Sequence, residues 1–394
     1  MIHLFVNGTA ASAGGGLTYL RNVIPQLSLR KDTRATIAID PKFRKQLPDP
    51  ANLTFIESPP FNGASRRFLW EQFSLPEQVR VSGADVLLSA GNFAMRKCPV
   101  PQVLLSGNAL YISRDFNRDL KARREYRSLA IHSIQSLLAK RSVLWADRTV
   151  APSVAFAGDL RRWTNSEKVS AIYHGFDGTT FFSDQTALPE EIQTKLDTYP
   201  QSIRLLFVSH YNYYRNFETL FRALPLIRKE TGRDVKLFLT CSLQPGENPG
   251  SYNIERAVNT IQKLAVRDDI VELGAIPNHL LHRVYRACNV YVTASYAETF
   301  AHPLVEAMAC GLPVVASDLA VHREICGEAA VYFDRFSPRE LAHRVREVTR
   351  FAEVSERMSN AGQARSQEFD WSRHVEELLT IMKSLCERKQ TKTV

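Results

Sequence analysis

Two carboxylates, Glu298 and Glu306, are separated by seven residues in the stretch Glu298-Thr299-Phe300-Ala301-His302-Pro303-Leu304-Val305-Glu306. Val290 to Thr293 ahead of them reads as a strand, and Pro303 suits the first turn of a helix, where its missing N–H costs nothing. Gly311 would end that helix before another strand begins at Val314. Glu298 is then expected on the loop above a sheet and Glu306 just inside a helix, with helix-start amides between them. A phosphate could dock on those amides while each carboxylate takes hydroxyls from the groups attached to it. The plainer alternative makes Glu298 a turn residue and Glu306 a charge favoured by the helix dipole.

A second feature is Gly14-Gly15-Gly16, between a strand-like start, Ile2 to Val6, and the helical pattern Leu17 to Asn22. Glycines at such a turn let a ligand approach the backbone near a positive helix end. An ordinary mobile loop would have the same composition. The spacing departs from G-x-G-x-x-G, which disfavours a dinucleotide site. The six cysteines, Cys98, Cys241, Cys288, Cys310, Cys326 and Cys386, form no C-x-x-C pair. That argues against a zinc site and for a reducing compartment. No two aspartates are separated by one residue.

The elements that would carry these residues alternate. In the second half, apolar runs at 205–208, 235–240, 270–273, 290–293, 314–316 and 331–333 are separated by helical segments such as 216–229 and 337–351. Short apolar strands alternating with helices predict a doubly wound parallel sheet. The first half repeats the theme at 2–6, 36–39, 53–56, 86–88, 103–105 and 149–151. Expected boundaries are 1–181 for an N-terminal Rossmann-like domain, 182–202 for a polar, proline-broken hinge, 203–368 for a second Rossmann-like domain, and 369–394 for a final helix and tail. Two such domains would bring their ligand-binding strand ends to one cleft.

The 394 residues are 44% hydrophobic and carry a net charge of +9. The charge favours anionic partners without choosing among them. No nucleic-acid reader motif accompanies it, so no nucleic-acid partner is expected. The start shows no leader-like pattern and no stretch reaches about eighteen apolar residues. The expected location is the cytosol, with peripheral contact on the inner face of an anionic membrane. Arg118, Lys121, Arg123, Arg124, Arg127, Lys140 and Arg141 face only Asp119 and Glu125 in that stretch, while Tyr126, Ala130, Ile134, Leu137 and Leu138 form one helical stripe. A further cluster is Arg66-Arg67-Phe68-Leu69-Trp70. The stripe is either domain core below a solvated charged face, or a surface that docks on anionic lipid.

The segment from Glu298 to Ser317 resembles the EGFGLPxxEAMACGxPVVAS signature of glycosyltransferase family 4, retaining enzymes of GT-B fold. Phe207-Val208-Ser209-His210 through Arg215-Asn216 is similar to the family's strand and loop with two basic residues. Leu273-Gly274-Ala275-Ile276-Pro277 resembles its base-contacting turn, and Ile172-Tyr173-His174-Gly175-Phe176-Asp177 the segment before its linker. The resemblance implies two domains facing across a cleft and a final helix crossing back to the first. It implies that Glu306 holds ribose hydroxyls and that Glu298 contacts the transferring sugar. Phe300, Ala301, His302, Pro303 and Leu304 would hold sugar and diphosphate through backbone amides. Ala275 and Ile276 would line the base pocket, and Arg215 with His210 would meet the diphosphate. Gly15 and Gly16 join this donor-binding set.

Three departures stand out. Ala301-His302 replaces Gly-Leu, His210 replaces an arginine, and Asn108 follows the first domain's strand where the family carries a histidine. Glu298, Arg215 and Asn108 are the expected catalytic residues. The activity so implied is metal-independent transfer of a hexose-type sugar from a UDP- or GDP-sugar to a glycan or lipid-linked glycan, with no cofactor. A nucleotide-sugar epimerase and a catalytically impaired sugar-nucleotide binder are the alternatives.

Overall fold

The structure, a computed structural model, describes residues 1–11, 14–45, 47, 49–61, 63–247 and 252–393. The chain divides into two compact units. One comprises Met1–Ile112, Arg124–Gly175 and Asp370–Val394, and the other Ser113–Arg123 and Phe176–Phe369.

The first unit holds β1 (Ile2–Asn7), β2 (Thr33–Ile39), β3 (Leu53–Glu57), β4 (Val86–Ser89), β5 (Gln102–Leu105), β6 (Arg148–Ala151) and β7 (Val169–Ala171). They form one parallel sheet in the order β3-β2-β1-β4-β5-β6-β7. β7 lies outside the strands expected from sequence. Val169-Ser170-Ala171 holds a single bulky apolar residue and so shows no apolar run, and pairing with β6 creates the strand.

The second unit holds β8 (Ile203–Phe207), β9 (Val235–Leu239), β10 (Ile270–Glu272), β11 (Val290–Thr293), β12 (Val314–Ser317) and β13 (Ala330–Phe333). Its sheet is parallel in the order β10-β9-β8-β11-β12-β13. β9, β11 and β12 are buried at every position, as near-continuous apolar runs require when helices cover both faces, and the buried Lys236 of β9 donates to Asp268 O (3.0 Å). Both units are the doubly wound α/β kind expected. In each, strand order reverses once, between β1 and β4 and between β8 and β11. At such reversals the loops leave in opposite directions and open a crevice at the strands' carboxyl ends.

The boundaries differ from those read in sequence. Residues 176–202 fold with the second unit, because Phe181, Leu188 and Leu196 are buried there and Phe181 packs on His282 and Tyr285. Polarity at 182–202 marks the solvated side of this segment, which includes the helix Glu190–Asp197. Residues 370–394 are part of the first unit. Trp371, Val375, Leu378, Leu379 and Met382 of the final helix enter its core beside Leu4, Val6 and Tyr19. His374 ties that helix down through Tyr173 O (2.7 Å) and the Tyr19 hydroxyl (3.1 Å). Gly175 is required here, since a Cβ would come within 2.2 Å of Trp371 N.

The stretch 118–141 is two helices, Arg114–Ala122 in the second unit and Tyr126–Trp145 in the first. Tyr126, Ile134 and Leu137 are 65%, 62% and 56% exposed, so the stripe is surface and not core. Arg123, counted among the solvated charges, is buried. No helix among the described residues is long and apolar enough to cross a membrane.

Candidate functional site

The site in the second unit is built from the loops that follow β8 and β11. After β8 the chain runs through His210 to the short turn Tyr213–Arg215, then enters the helix Phe217–Thr231 through Asn216 in the left-handed region (φ 55°). Asparagine tolerates that backbone better than most residues. Its amide donates to Ala294 O (3.1 Å) and Arg335 O (2.6 Å), which fixes the loop end to the chain just beyond β11 and just beyond β13. After β11, Ser317 Oγ donates to Ser295 O (2.5 Å), and the Tyr296 N–H donates to Tyr214 O (2.9 Å). The two loops are thus stitched together by backbone and side chains.

Arg215 and Glu298 meet on this frame. The Arg215 Nη1 donates to Glu298 Oε1 and to Ser295 Oγ (3.3 Å), and Ser295 Oγ lies 3.2 Å from Thr293 Oγ1. Arg215 Nε is buried without a hydrogen-bond partner, leaving the guanidinium with donor capacity in hand. His210 stands exposed at the start of the same loop. Partial desolvation, and then the Arg215 charge, hold its pKa below the ordinary imidazole value.

Glu306 lies in the helix His302–Ala309. Its Oε2 accepts from the Tyr285 hydroxyl at 2.8 Å. Part of the side chain stays accessible, but the carboxyl lies against fully buried Tyr285, and burial pushes its pKa up to about 7, with the tyrosine bond pulling the other way. Ala301 opens this helix at φ 64°. A left-handed alanine costs about 1 kcal/mol or more. It stands where the resembling signature has glycine.

The amides expected to hold an anion are fewer than the sequence suggests. Pro303 has none, and the Leu304 N–H donates to Ala301 O at 3.0 Å. The side chains of Phe300 and Leu304 are core, with Phe300 packed edge-on to Phe369. The His302 ring lies 4.9 Å from that of Phe300. Ala275 and Ile276 follow β10, two strands from β8, with Ala275 exposed and Ile276 half-buried.

In the first unit, Gly15 and Gly16 lie in the first turn of the helix Gly14–Ser28, beyond β1. A Cβ at Gly15 would meet nothing within 4 Å, so this turn is open. Asn108 follows β5, one strand beyond the β1–β4 reversal, and its Oδ1 accepts from Leu110 N (3.0 Å) within its own turn. The structure therefore brings Arg215, Glu298 and His210 onto two stitched loops, with Glu306 on the adjoining helix. Ala275 and Ile276 belong to the same sheet edge farther along. Tyr285 and Ser295 were not singled out by sequence, and Asn216 appeared there only as the end of a motif. Their partners are 21 to 119 residues away in sequence, and no local spacing signals such pairs.

Residues 189–365 match a family described as "Glycosyl transferases group 1". The chain is similar to the D-inositol 3-phosphate glycosyltransferase of Segniliparus rotundus, at 26% identity over 93% of this chain and 84% of that one. An enzyme of the same name from Salinispora tropica matches at 26% over 60% of this chain and 50% of its own. The fold is similar to sucrose-phosphate synthase from Thermosynechococcus elongatus (TM-score 0.73, 18% identity, 98% and 99% of the two chains). It is also similar to Anabaena Alr3699/HepE in complex with UDP and glucose (TM-score 0.70, 19% identity, 98% and 100%).

Proposed function

For this glycosyltransferase of GT-B fold, matched over residues 189–365 to the group 1 family, we propose retaining transfer of a hexose-type sugar. The donor is a UDP- or GDP-sugar, the acceptor a hydroxyl of a glycan or lipid-linked glycan, and no metal ion takes part. The observation that carries this reading is the meeting of Arg215 and Glu298 beyond the adjacent strands β8 and β11. Open α/β sheets take their ligands at such a reversal of strand order.

In the donor complex Arg215 turns its charge to the diphosphate, where negative charge builds as the glycosidic bond breaks. Glu298, released from that pair, takes hydroxyls of the transferring sugar. Glu306 accepts from the ribose hydroxyls, and Ala275 and Ile276 line the base. β10 lies two strands from β8, about 10 Å at the usual spacing of ~4.8 Å, which suits a nucleoside between base and diphosphate. The acceptor oxygen bonds to the anomeric carbon on the face the diphosphate leaves, and its proton passes to the departing diphosphate oxygen. Arg215 and the helix-start dipole supply the charge that an Asp-x-Asp-bound metal supplies elsewhere.

A second reading, a sugar-nucleotide binder without turnover, is favoured by Asn108, whose side chain is engaged in its own turn. The test is thermal stabilisation by UDP-glucose, UDP-N-acetylglucosamine and GDP-mannose, followed by nucleotide release with glycan and phosphorylated polyol acceptors in excess chelator. A binding donor raises stability by mass action. The expected result is one stabilising donor that is turned over in chelator, with Glu298→Gln folded and slower by about a hundredfold. Wild-type turnover by Glu298→Gln would sink its role. Loss in chelator that magnesium restores would sink metal independence, and stabilisation without turnover would favour the second reading. Conversion to an epimer without nucleotide release would make the protein an epimerase.

A further inference from the structure

The helix Arg114–Ala122 is flanked on both sides by chain of the first unit and yet folds on the second. Ser113 caps it, accepting from Phe116 N at 3.2 Å, and Phe116 and Leu120 are its buried side chains. Polar anchors dominate its attachment. Asp115 Oδ2 accepts from Arg335 Nε (2.9 Å) and Nη2 (2.7 Å). Asp119 Oδ2 accepts from the Tyr296 hydroxyl (3.0 Å), and its Oδ1 from Arg123 Nε (2.9 Å). Arg123 Nη2 donates to Glu218 Oε1 (2.7 Å), and its guanidinium lies 4.1 Å from the Tyr213 ring centre.

These anchors fall beside the two proposed site residues. Tyr213 precedes Arg215 by two positions, and Tyr296 precedes Glu298 by two. Glu218 opens the helix that follows Arg215. The side chains of Arg123 and Glu218 are 6% and 5% exposed, so this is a buried, forked pair. Exposed ion pairs hold geometry weakly, whereas a desolvated guanidinium fork fixes direction and distance. Burial opposes the Arg123 charge, and Glu218 with Asp119 outweighs it, so the fork stays charged.

We propose that Asp119 and Arg123 are positioning residues for the donor site, bracing the Arg215 loop and the Glu298 loop against one another. They touch no substrate and act through the two loops. The inference rests on the functional reading of Arg215 and Glu298 given above. Sequence distance hides it, since Asp119 lies 177 residues from Tyr296.

Arg123→Lys keeps the charge but loses the fork, and Tyr296→Phe removes one hydroxyl. Both variants, with wild type, are compared by amide hydrogen exchange of the free protein and by turnover of whichever of UDP-glucose, UDP-N-acetylglucosamine and GDP-mannose the wild type uses. Segments 209–216 and 295–301 are expected to exchange about tenfold faster while β8 and β11 keep wild-type protection. kcat is expected to fall about tenfold with donor KM within about threefold and melting temperature nearly unchanged. Wild-type exchange in both segments overturns the proposal, as does a kcat within about twofold of wild type in both variants. A loss of kcat that merely follows a lowered melting temperature overturns it too. A wild-type protein that turns over none of UDP-glucose, UDP-N-acetylglucosamine and GDP-mannose defeats the functional reading instead, and the exchange rates then still report whether the loops are braced.

Discussion

A carboxyl group held near neutrality is a sensor for its own ligand. Glu306 has its pKa pushed up to about 7 by burial, so the free protein carries it partly protonated at neutral pH. On the role proposed for Glu306, ribose hydroxyls would donate to the ionised form, and donor binding would favour loss of that proton. As pH falls below 7, affinity for the nucleotide part is expected to weaken, approaching tenfold per pH unit. Calorimetric titration with UDP between pH 5.5 and 8 checks this, and Glu306→Gln should flatten the profile. A wild-type affinity independent of pH across that range would show that Glu306 does not meet the ribose. The linkage has a stability side of the opposite sense. The folded state binds the proton more tightly than the unfolded chain, so Glu306 costs stability increasingly from its unfolded pKa up to about 7. Beside it, Ala301 holds a left-handed backbone that glycine would adopt without strain.

The final helix, Trp371–Thr393, shows how one element depends on a neutral imidazole. His374 is buried, with its ring between Tyr173 O and the Tyr19 hydroxyl, and burial pulls its pKa down to about 4. The unfolded chain takes up a proton near pH 6.5 and the folded one resists it. The stability so contributed is complete above pH 6.5 and declines as pH falls toward 4, by about 3 kcal/mol at full extent. Urea unfolding at pH 7 and pH 4.5 should show this loss, and His374→Gln should remove part of it. An equal pH dependence in the variant would mean that other groups set it. His322, fully buried against Ser317 in the second unit, is lowered to about 4 for the same reason and adds to the wild-type slope.

At the scale of the whole molecule, part of the basic excess in the sequence lies exposed around one helix. The helix Tyr126–Trp145 exposes Tyr126, Ile131, Ile134, Leu137 and Leu144, with Arg124, Arg127 and Arg141 also exposed around them. Bulky apolar side chains with interleaved cations suit an anionic leaflet, where each charge contributes about 1 kcal/mol. The protein is expected to sediment with anionic liposomes at low salt, less at physiological salt, and not with neutral ones. Ile134→Asp with Leu137→Asp should abolish the association without changing turnover of a water-soluble acceptor. If anionic liposomes leave the protein in solution even at low salt, a soluble acceptor becomes the better assignment.

Sequence by itself determined the two parallel sheets, because strands covered on both faces must be mostly apolar, and β8 to β13 are short, mostly apolar runs alternating with helical patterns. It also singled out Glu298 and Glu306, whose meaning lies in seven intervening residues and a helix start. What sits far apart in the chain was decided only in three dimensions. The reversal of strand order sets Arg215 beside Glu298 across 83 residues. Residues 113–123 join the second unit through Arg335, Tyr296 and Glu218, and residues 370–394 join the first through its core. The stripe at Tyr126 to Leu138 could be read as core or as surface, because periodicity says only that a helix has an apolar face. Which way that face points depends on what packs against it, and packing is a property of the tertiary structure alone.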